Sequence, residues 1–427
     1  MDITDWIALT ASILALLTTV IGWIFQYRGL RQRDIEIKHR MEMDQKEFVE
    51  KYASHEKRMQ GWLEDLDEPP ELASDPDQTD AGLPYQAGAP IRTPDLFYGR
   101  NEDLNCVMDC ITGKQMASMF VLGARKSGKT SFFYHLSHIL DTDHYPQFVP
   151  VYLDAQSAIS SEKNFFAYML REASAGLDAR NKTTARPPDI PKEIEYEILA
   201  NFLEKAGQKQ WRFLFMLDEF ERLVNAPETF GDNFFSNLRS LILKGKMSWI
   251  TASFREVYIP GTSTSPFHNI VQDIIHLGPL NEEEAFSLAA EPAARAGHPF
   301  ELEEVELILT LAGRMPFLIQ KAALLLYKAH RSGITGSDAR VSLTNRFKLE
   351  TETYFNSQIA LLSDQESQAL SQLTLGKDVT AYEPNLELLE KYGFVESDGN
   401  DFRVLGQTFN EYLLKKARTA SFAIPGP

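Results

Sequence analysis

The chain is short of cysteine and of positive charge. Its 427 residues include two cysteines, Cys106 and Cys110, so no disulfide framework can hold the fold. The two lie one helical turn apart, a poor geometry for a bridge. No further ligand is apparent beside them to complete a metal site, and both are read as reduced thiols of a cytosolic domain. Lys and Arg number 43 against 60 Asp and Glu, a net charge of −17. That balance argues against tight, non-specific binding to nucleic acid or anionic lipid. No internal repeat is visible. The hydrophobic content of 44% and charged content of 24% are those of an ordinary globular protein, and the length suits two or three domains.

One stretch lacks charge altogether. "WIALTASILALLTTVIGWIF", residues 6–25, carries no Asp, Glu, Lys or Arg. About 20 apolar residues rising 1.5 Å each match the ~30 Å hydrocarbon layer of a bilayer. Trp6, Trp23 and Tyr27 stand near its ends, where amphipathic rings favour the interface. A cleaved signal peptide would have a basic start and a shorter apolar core. Here Asp2 and Asp5 precede a long run. Residues 1–27 are therefore expected to be a retained transmembrane anchor. Arg28, Arg31 and Arg33 follow it, which by the positive-inside rule leaves the N-terminus outside and the rest of the chain in the cytoplasm.

Residues 28–66 are highly charged and contain no proline, which predicts a helical stalk. Met41, Phe48, His55 and Trp62 recur at heptad spacing, as do Tyr52, Met59 and Leu66. Such rows suit pairing with copies of the same chain, and equally a solvated helix lying on the membrane or on its own domain. Residues 67–94 are rich in Pro, Gly, Ala and Asp and poor in large apolar groups, which predicts a flexible linker.

Beyond Asp95 the pattern changes. Short apolar runs at Met119–Leu122, Phe148–Leu153, Phe213–Leu217, Trp249–Ser253 and Ile274–Leu277 read as buried strands. They alternate with helical patterns near 101–112, 129–140, 163–176, 190–206 and 233–244. That alternation predicts an α/β fold with a parallel sheet covered on both faces. Helices are then predicted at 281–296, 301–312 and 316–330, followed by mixed helices and a short hairpin within 345–418.

Chemistry is concentrated at three strand ends. "GARKSGKTS", from Gly123 to Ser131, fits G-x-x-x-x-G-K-[ST] between a strand and a helix. Gly123 and Gly128 allow the backbone to approach a polyphosphate. The amides of Ala124, Arg125, Lys126, Ser127 and the helix start at Lys129 to Ser131 point at the anion. Lys129 brings charge to the β and γ phosphates, and Thr130 offers a hydroxyl to Mg2+. The second end is "FLFMLDE". Asp218 suits the Mg2+ shell and Glu219 suits activation of an attacking water. The third is "WITASFREV", where Arg255 could sense the γ phosphate or stabilise transferred charge.

Taken together, these segments resemble the STAND-type and archaeal-type ATPases of the AAA+ superfamily. "DLFYGRNEDL" at 95–104 is similar to their entry segment, "LGPLNEEEAFSLAAEP" at 277–292 to the start of their helical lid, and "AGRMPFLIQKAALLLY" at 312–327 to a lid helix. "LLEKYGFVESDGNDFRVLGQTFNEYL" at 388–413 resembles the wing and last helix of a winged-helix domain. The resemblance implies a P-loop NTPase core at 95–280, a helical lid at 281–340, a winged helix at 345–418 and a tail at 419–427. It implies that Tyr98, Gly99 and Arg100 border adenine and ribose, that Pro316 closes over the nucleotide, and that Arg255 is the arginine after the fourth core strand. It also implies the additional-strand sheet order, with the loop strand central. Arg314 and Met315, between Gly313 and Pro316, depart from the family pattern. No arginine-finger motif for a neighbouring subunit is apparent.

The function expected is a membrane-anchored switch that binds ATP or ADP with Mg2+, hydrolyses ATP slowly, and self-associates in its ATP form. A prokaryotic signalling or defence setting would suit it by family association. The alternatives are a membrane-tethered remodelling ATPase and a DNA-binding ATPase at the membrane. Acidic residues outnumber basic ones over 345–418, and "EPNLELLEKYG" carries three glutamates, which argues against nucleic acid. Only "RTASFAIPGP" follows, where STAND proteins usually carry a repeat sensor, so an unidentified protein partner, the linker or the core would supply the trigger.

Overall fold

The structure, a computed structural model, describes residues 83–113, 117–142, 144–156, 160–181, 190–243, 247–256, 271–398 and 401–422. The expected anchor, the stalk and most of the linker lie outside the described residues. Among the described residues no helix is long and apolar enough to cross a membrane.

Five strands form one parallel sheet: β1 (Ser118–Leu122), β2 (Phe148–Asp154), β3 (Arg212–Asp218), β4 (Met247–Ser253) and β5 (Val271–His276). Their order is β2-β3-β4-β1-β5, with every neighbouring pair parallel. An additional strand, β4, therefore separates the loop strand β1 from the carboxylate strand β3, as expected. One detail differs: β4 is the central strand, and β1 lies one place in from the β5 edge.

Burial on both faces explains the near-continuous apolar runs. Successive side chains of β3 alternate between two cores. Phe213, Phe215 and Leu217 pack with Phe165, Leu199, Phe234 and Trp249. Leu214 and Met216 pack with Val107, Phe132 and Leu136. The second core lies under α1 (Asn101–Thr112) and α2 (Lys129–Leu140). The first lies under α3 (Glu162–Asn181), α4 (Tyr196–Gln208) and, beyond the single turn α5 (Glu221–Val224), α6 (Asp232–Leu243).

After the sheet come α7 (Glu282–Arg295), α8 (Leu302–Ala312), α9 (Pro316–Arg331) and α10 (Gly336–Ile359). Then follow α11 (Asp364–Thr374), α12 (Glu383–Lys391), the antiparallel hairpin β6 (Val395–Asp398) and β7 (Asp401–Val404), and α13 (Gln407–Phe422). Helix α10 runs unbroken through residues 340–345, where the sequence suggested a join. Capping boxes start α7 at Asn281 and Glu284 and α11 at Ser363 and Glu366.

The C-terminal end of the expected flexible linker is packed. Tyr85 is 3% and Ile91 6% exposed. The Tyr85 hydroxyl donates to the Ala289 carbonyl at 2.6 Å and accepts the Ala293 N–H, while the Ile91 N–H donates to Ser131 Oγ at 2.9 Å. Burying each of these two side chains contributes about 1.5–3 kcal/mol. Two anchors in an otherwise polar stretch are enough to lay it on the core, and a composition average hides them.

Candidate functional site

The turn after β1 is built around close approach. A Cβ on Gly123 would stand 2.5 Å from Ser127 Oγ and 2.7 Å from the Leu277 carbonyl, so no side chain fits there. Lys126 and Gly128 adopt left-handed backbone, with φ of 63° and 101°, and Gly128 caps α2. The loop thus curls around the helix start, with the Gly123 N–H donating to the Ser253 carbonyl and the Ser127 N–H to the Ala124 carbonyl, each at 3.2 Å.

Donors in this loop exceed acceptors. The Lys129 ammonium donates to the carbonyls of Gly123 and Ala124 at 2.8 and 3.0 Å. Among the described residues it makes no ion pair, and burial pushes its pKa down. The Ser127 hydroxyl is buried without a partner. These groups open on a cleft of about 820 Å³. A buried ammonium with a donor to spare, an orphaned hydroxyl and a helix N-terminus beside a cleft of that size fit a polyphosphate.

The carboxylates stand opposite. Asp218 ends β3 and accepts the Thr130 hydroxyl at 2.5 Å, the Tyr152 hydroxyl at 3.2 Å and the Glu219 N–H at 3.0 Å. Burial raises its pKa despite these bonds. Thr130 and Asp218 are the hard oxygen pair that Mg2+ prefers, already side by side. Glu219 sits at φ 52°, an uncommon conformation for a residue with a side chain. Its carboxylate pairs with Arg222 at 2.5 Å and accepts from Gln156 Nε2. Glu221 also lines the cleft. Its Oε2 is buried without a partner, and burial raises its pKa.

The opposite wall is formed by residues before α1 and by the helices after the sheet. Tyr98, Arg100 and Pro316 all line the cleft. The Tyr98 hydroxyl is buried and unpartnered, and its pKa rises to about 12, chiefly from desolvation. The Arg100 guanidinium is buried, donating to the carbonyls of Gly278 and Pro279, and its backbone N–H donates to Glu284 Oε1 at 2.7 Å. Gly99 has φ 76°, with Glu284 where a side chain would lie.

Arg255 is not brought to the cleft. It points at the C-terminal helices, donating to the Leu361 carbonyl at 2.8 Å and pairing with Glu366 at 2.5 Å. Glu366 is 1% exposed and closes the α11 capping box, so this arginine finds a buried carboxylate before it can reach a phosphate. The other expected residues, from Gly123 to Ser131 with Asp218 and Glu219, come together at the strand ends.

The family model described as Novel STAND NTPase 1 matches residues 91–345, more than half of the chain. The chain belongs to the Novel STAND NTPase 1 family. Among solved structures, a Walker-type ATPase of Pyrococcus abyssi is similar over 76% of this chain and 98% of its own, at 13% identity and a TM-score of 0.55. That likeness shows a shared P-loop ATPase fold. The Aeropyrum pernix ORC1 protein in complex with DNA matches at 12% identity over 79% of this chain and 95% of its own, with a TM-score of 0.42. The Thermotoga maritima RuvB Holliday junction branch migration motor matches at 14% over 78% and 99%, with a TM-score of 0.36. Neither score is high enough to carry an argument. No curated protein matches the chain.

Several residues of this STAND NTPase border the cleft without having been singled out in the sequence. Gln156 follows β2 and holds Glu219. From α10, the Tyr354 hydroxyl and Gln358 Nε2 both donate to the Arg125 carbonyl, at 3.3 and 3.4 Å. The Phe317 ring centre lies 4.0 Å from Lys126 Nζ. Gln86, Gly88, Ala89, Pro90 and Ile91 also contribute to the wall. Only Gln156 had a local signal, its place just past a strand end. The others are joined to the loop by the fold alone.

Proposed function

We propose that this STAND NTPase is a membrane-anchored switch that binds ATP with Mg2+, hydrolyses it slowly, and changes its self-association with nucleotide state. The observation that carries the reading is the hold of α10 on the phosphate loop through Arg125, beside the Arg255–Glu366 pair. The cleft is therefore shared between the sheet and the C-terminal helices. Any occupant that prefers one arrangement of those two parts shifts their equilibrium, by as much as its differential affinity allows.

In this reading α7 to α9 form a lid, and α11, α12, the hairpin and α13 form a winged helix. The succession of helix, helix, hairpin and helix supports that assignment. Lys129 and the loop amides bind the β and γ phosphates, and Tyr98, Arg100 and Pro316 bound the base and sugar. Thr130 and Asp218 would hold Mg2+, which when bound offsets phosphate charge. Glu219 takes the proton of the attacking water once Gln156 and Arg222 release it. The ADP form is the closed one, and residues 6–25 hold the protein at the membrane with the ATPase region in the cytoplasm. Signalling follows from clustering of the anchors.

Sizing the full chain in detergent with ADP, with a non-hydrolysable ATP analogue and with neither tests the proposal. A larger assembly with the analogue alone is expected. One size under all three conditions removes the self-association part. Steady turnover that rises with assembly would mark a remodelling motor instead.

A further inference from the structure

The two cysteines left aside by the sequence acquire a third partner in the fold. Cys106 and Cys110 lie four residues apart on α1, so both thiols project from one face of the helix. Strand β5, at the edge of the sheet, carries Asp273 to that face. One ligand atom from each of the three lies within 4.8 Å of the others. We propose that Cys106, Cys110 and Asp273 form a binding site for a single divalent metal ion of borderline-soft character, with zinc as its chemical type.

The geometry suits that ion. Zinc holds thiolate sulfur at about 2.3 Å and carboxylate oxygen at about 2.0 Å in a tetrahedron, which sets sulfur and oxygen roughly 3.5 Å apart. Cys106 Sγ and Asp273 Oδ2 are 3.5 Å apart. The carboxylate is already oriented, because Asp273 Oδ1 accepts the Ile274 N–H at 2.8 Å and leaves Oδ2 facing the thiols. Outer bonds of this kind fix ligand direction in metal sites. The cysteines are half-buried and Asp273 is exposed, so the fourth position opens to water. Two sulfurs with one oxygen favour zinc over magnesium or calcium, which take oxygen donors. Binding forms two metal–sulfur bonds and one metal–oxygen bond. The two thiol protons pass to solvent, and no electron is transferred.

The Cys106 thiol donates to Asp273 Oδ2, so two of the three ligand atoms of the cluster already face each other. Its place gives the site a consequence. Helix α1 starts directly after Arg100, and β5 leads into Gly278, whose carbonyl accepts from Arg100. A metal here would tie together the two elements that meet at the base of the nucleotide cleft.

Cobalt(II) is the probe, because the chain has no cysteines beyond these two and a thiolate-to-cobalt absorption band can come only from them. The full chain in detergent, stripped with a chelator and kept reduced, is titrated with Co2+. One equivalent should produce that band with four-coordinate ligand-field bands, and Zn2+ should erase both. Cys106→Ser and Cys110→Ser should each abolish the band, while Asp273→Asn should weaken Co2+ binding by roughly 10–100-fold. The serine variants should bind nucleotide as wild type does, which shows that they fold. The proposal is overturned if wild type gives no band, if the band survives in the double serine variant, or if the two cysteines are isolated as a disulfide that reduction does not convert to a cobalt site.

Discussion

Lys129 and Asp218 face each other across the phosphate loop, and burial works against both charges. It lowers the Lys129 pKa and raises that of Asp218. A raised carboxyl contributes stability below its ordinary value and loses it as pH rises through the folded value. A lowered lysine contributes above its ordinary value and loses it as pH falls through the folded value. In each case burial disfavours the charged form, and a counter-charge brought to the site offsets that cost. In the proposed function magnesium ATP would supply both counter-charges. Thermal melts of wild type should therefore rise with ATP and Mg2+. Lys129→Ala should lose the shift, whereas Asp218→Asn should keep a nucleotide shift that no longer depends on Mg2+. Glu219→Gln should keep the full shift while turnover falls by about 10²–10⁴-fold, the usual worth of a positioned base. Equal turnover in the two proteins would remove Glu219 from that role. These residues were legible in the sequence because they sit at fixed offsets from strand ends. Gln156 offered only its place past a strand end, and Glu221 offered no signal, since what distinguishes it is burial in the cleft wall.

Elements joined by one residue show where the parts can separate. Glu366 completes the α11 capping box and receives Arg255 from the end of β4. Burial pushes its carboxyl up, but the Ser363 amide and hydroxyl and the Arg255 guanidinium outweigh that and hold it below its ordinary value of 4.5. Its contribution is present above about pH 4.5 and is lost as pH falls through the folded value, so Glu366→Gln should remove part of the acid limb of a stability profile. Arg255→Ala leaves a buried carboxylate unpaired and should cost on the order of 1–3 kcal/mol by urea melts. A double-mutant cycle with Glu366→Gln should show coupling rather than additivity. Arg255 was legible as a cation after a strand, but its target lay more than 100 residues onward and had no sequence signal. The departures at Arg314 and Met315 have a structural cause. Arg314 pairs with Glu396 of the hairpin, and Met315 fills the space over Gly393, where an added Cβ would stand 2.4 Å from its sulfur at φ 77°. Gly393→Ala should destabilise the chain by roughly 1–3 kcal/mol.

At the scale of the whole molecule, the alternation of strands and helices announced the three-layer sheet, because burial on two faces requires apolar runs that any reader can see. Helix α10 and the packed segment before α1 were less visible. One carries its apolar residues sparsely along a long polar helix, and the other has two anchors in a stretch of linker composition. The expected anchor is testable apart from the rest: deleting residues 1–27 should yield a chain that stays in solution without detergent and still binds nucleotide. The most direct test of the central claim is titration of the full chain with a fluorescent ATP analogue, with Mg2+ and after chelation, in wild type and in Lys129→Ala. One saturable site per chain, weakened by chelation and lost in the variant, is the predicted result. Binding by Lys129→Ala as tight as wild type, or none by wild type, would contradict a triphosphate site between the phosphate loop and Asp218.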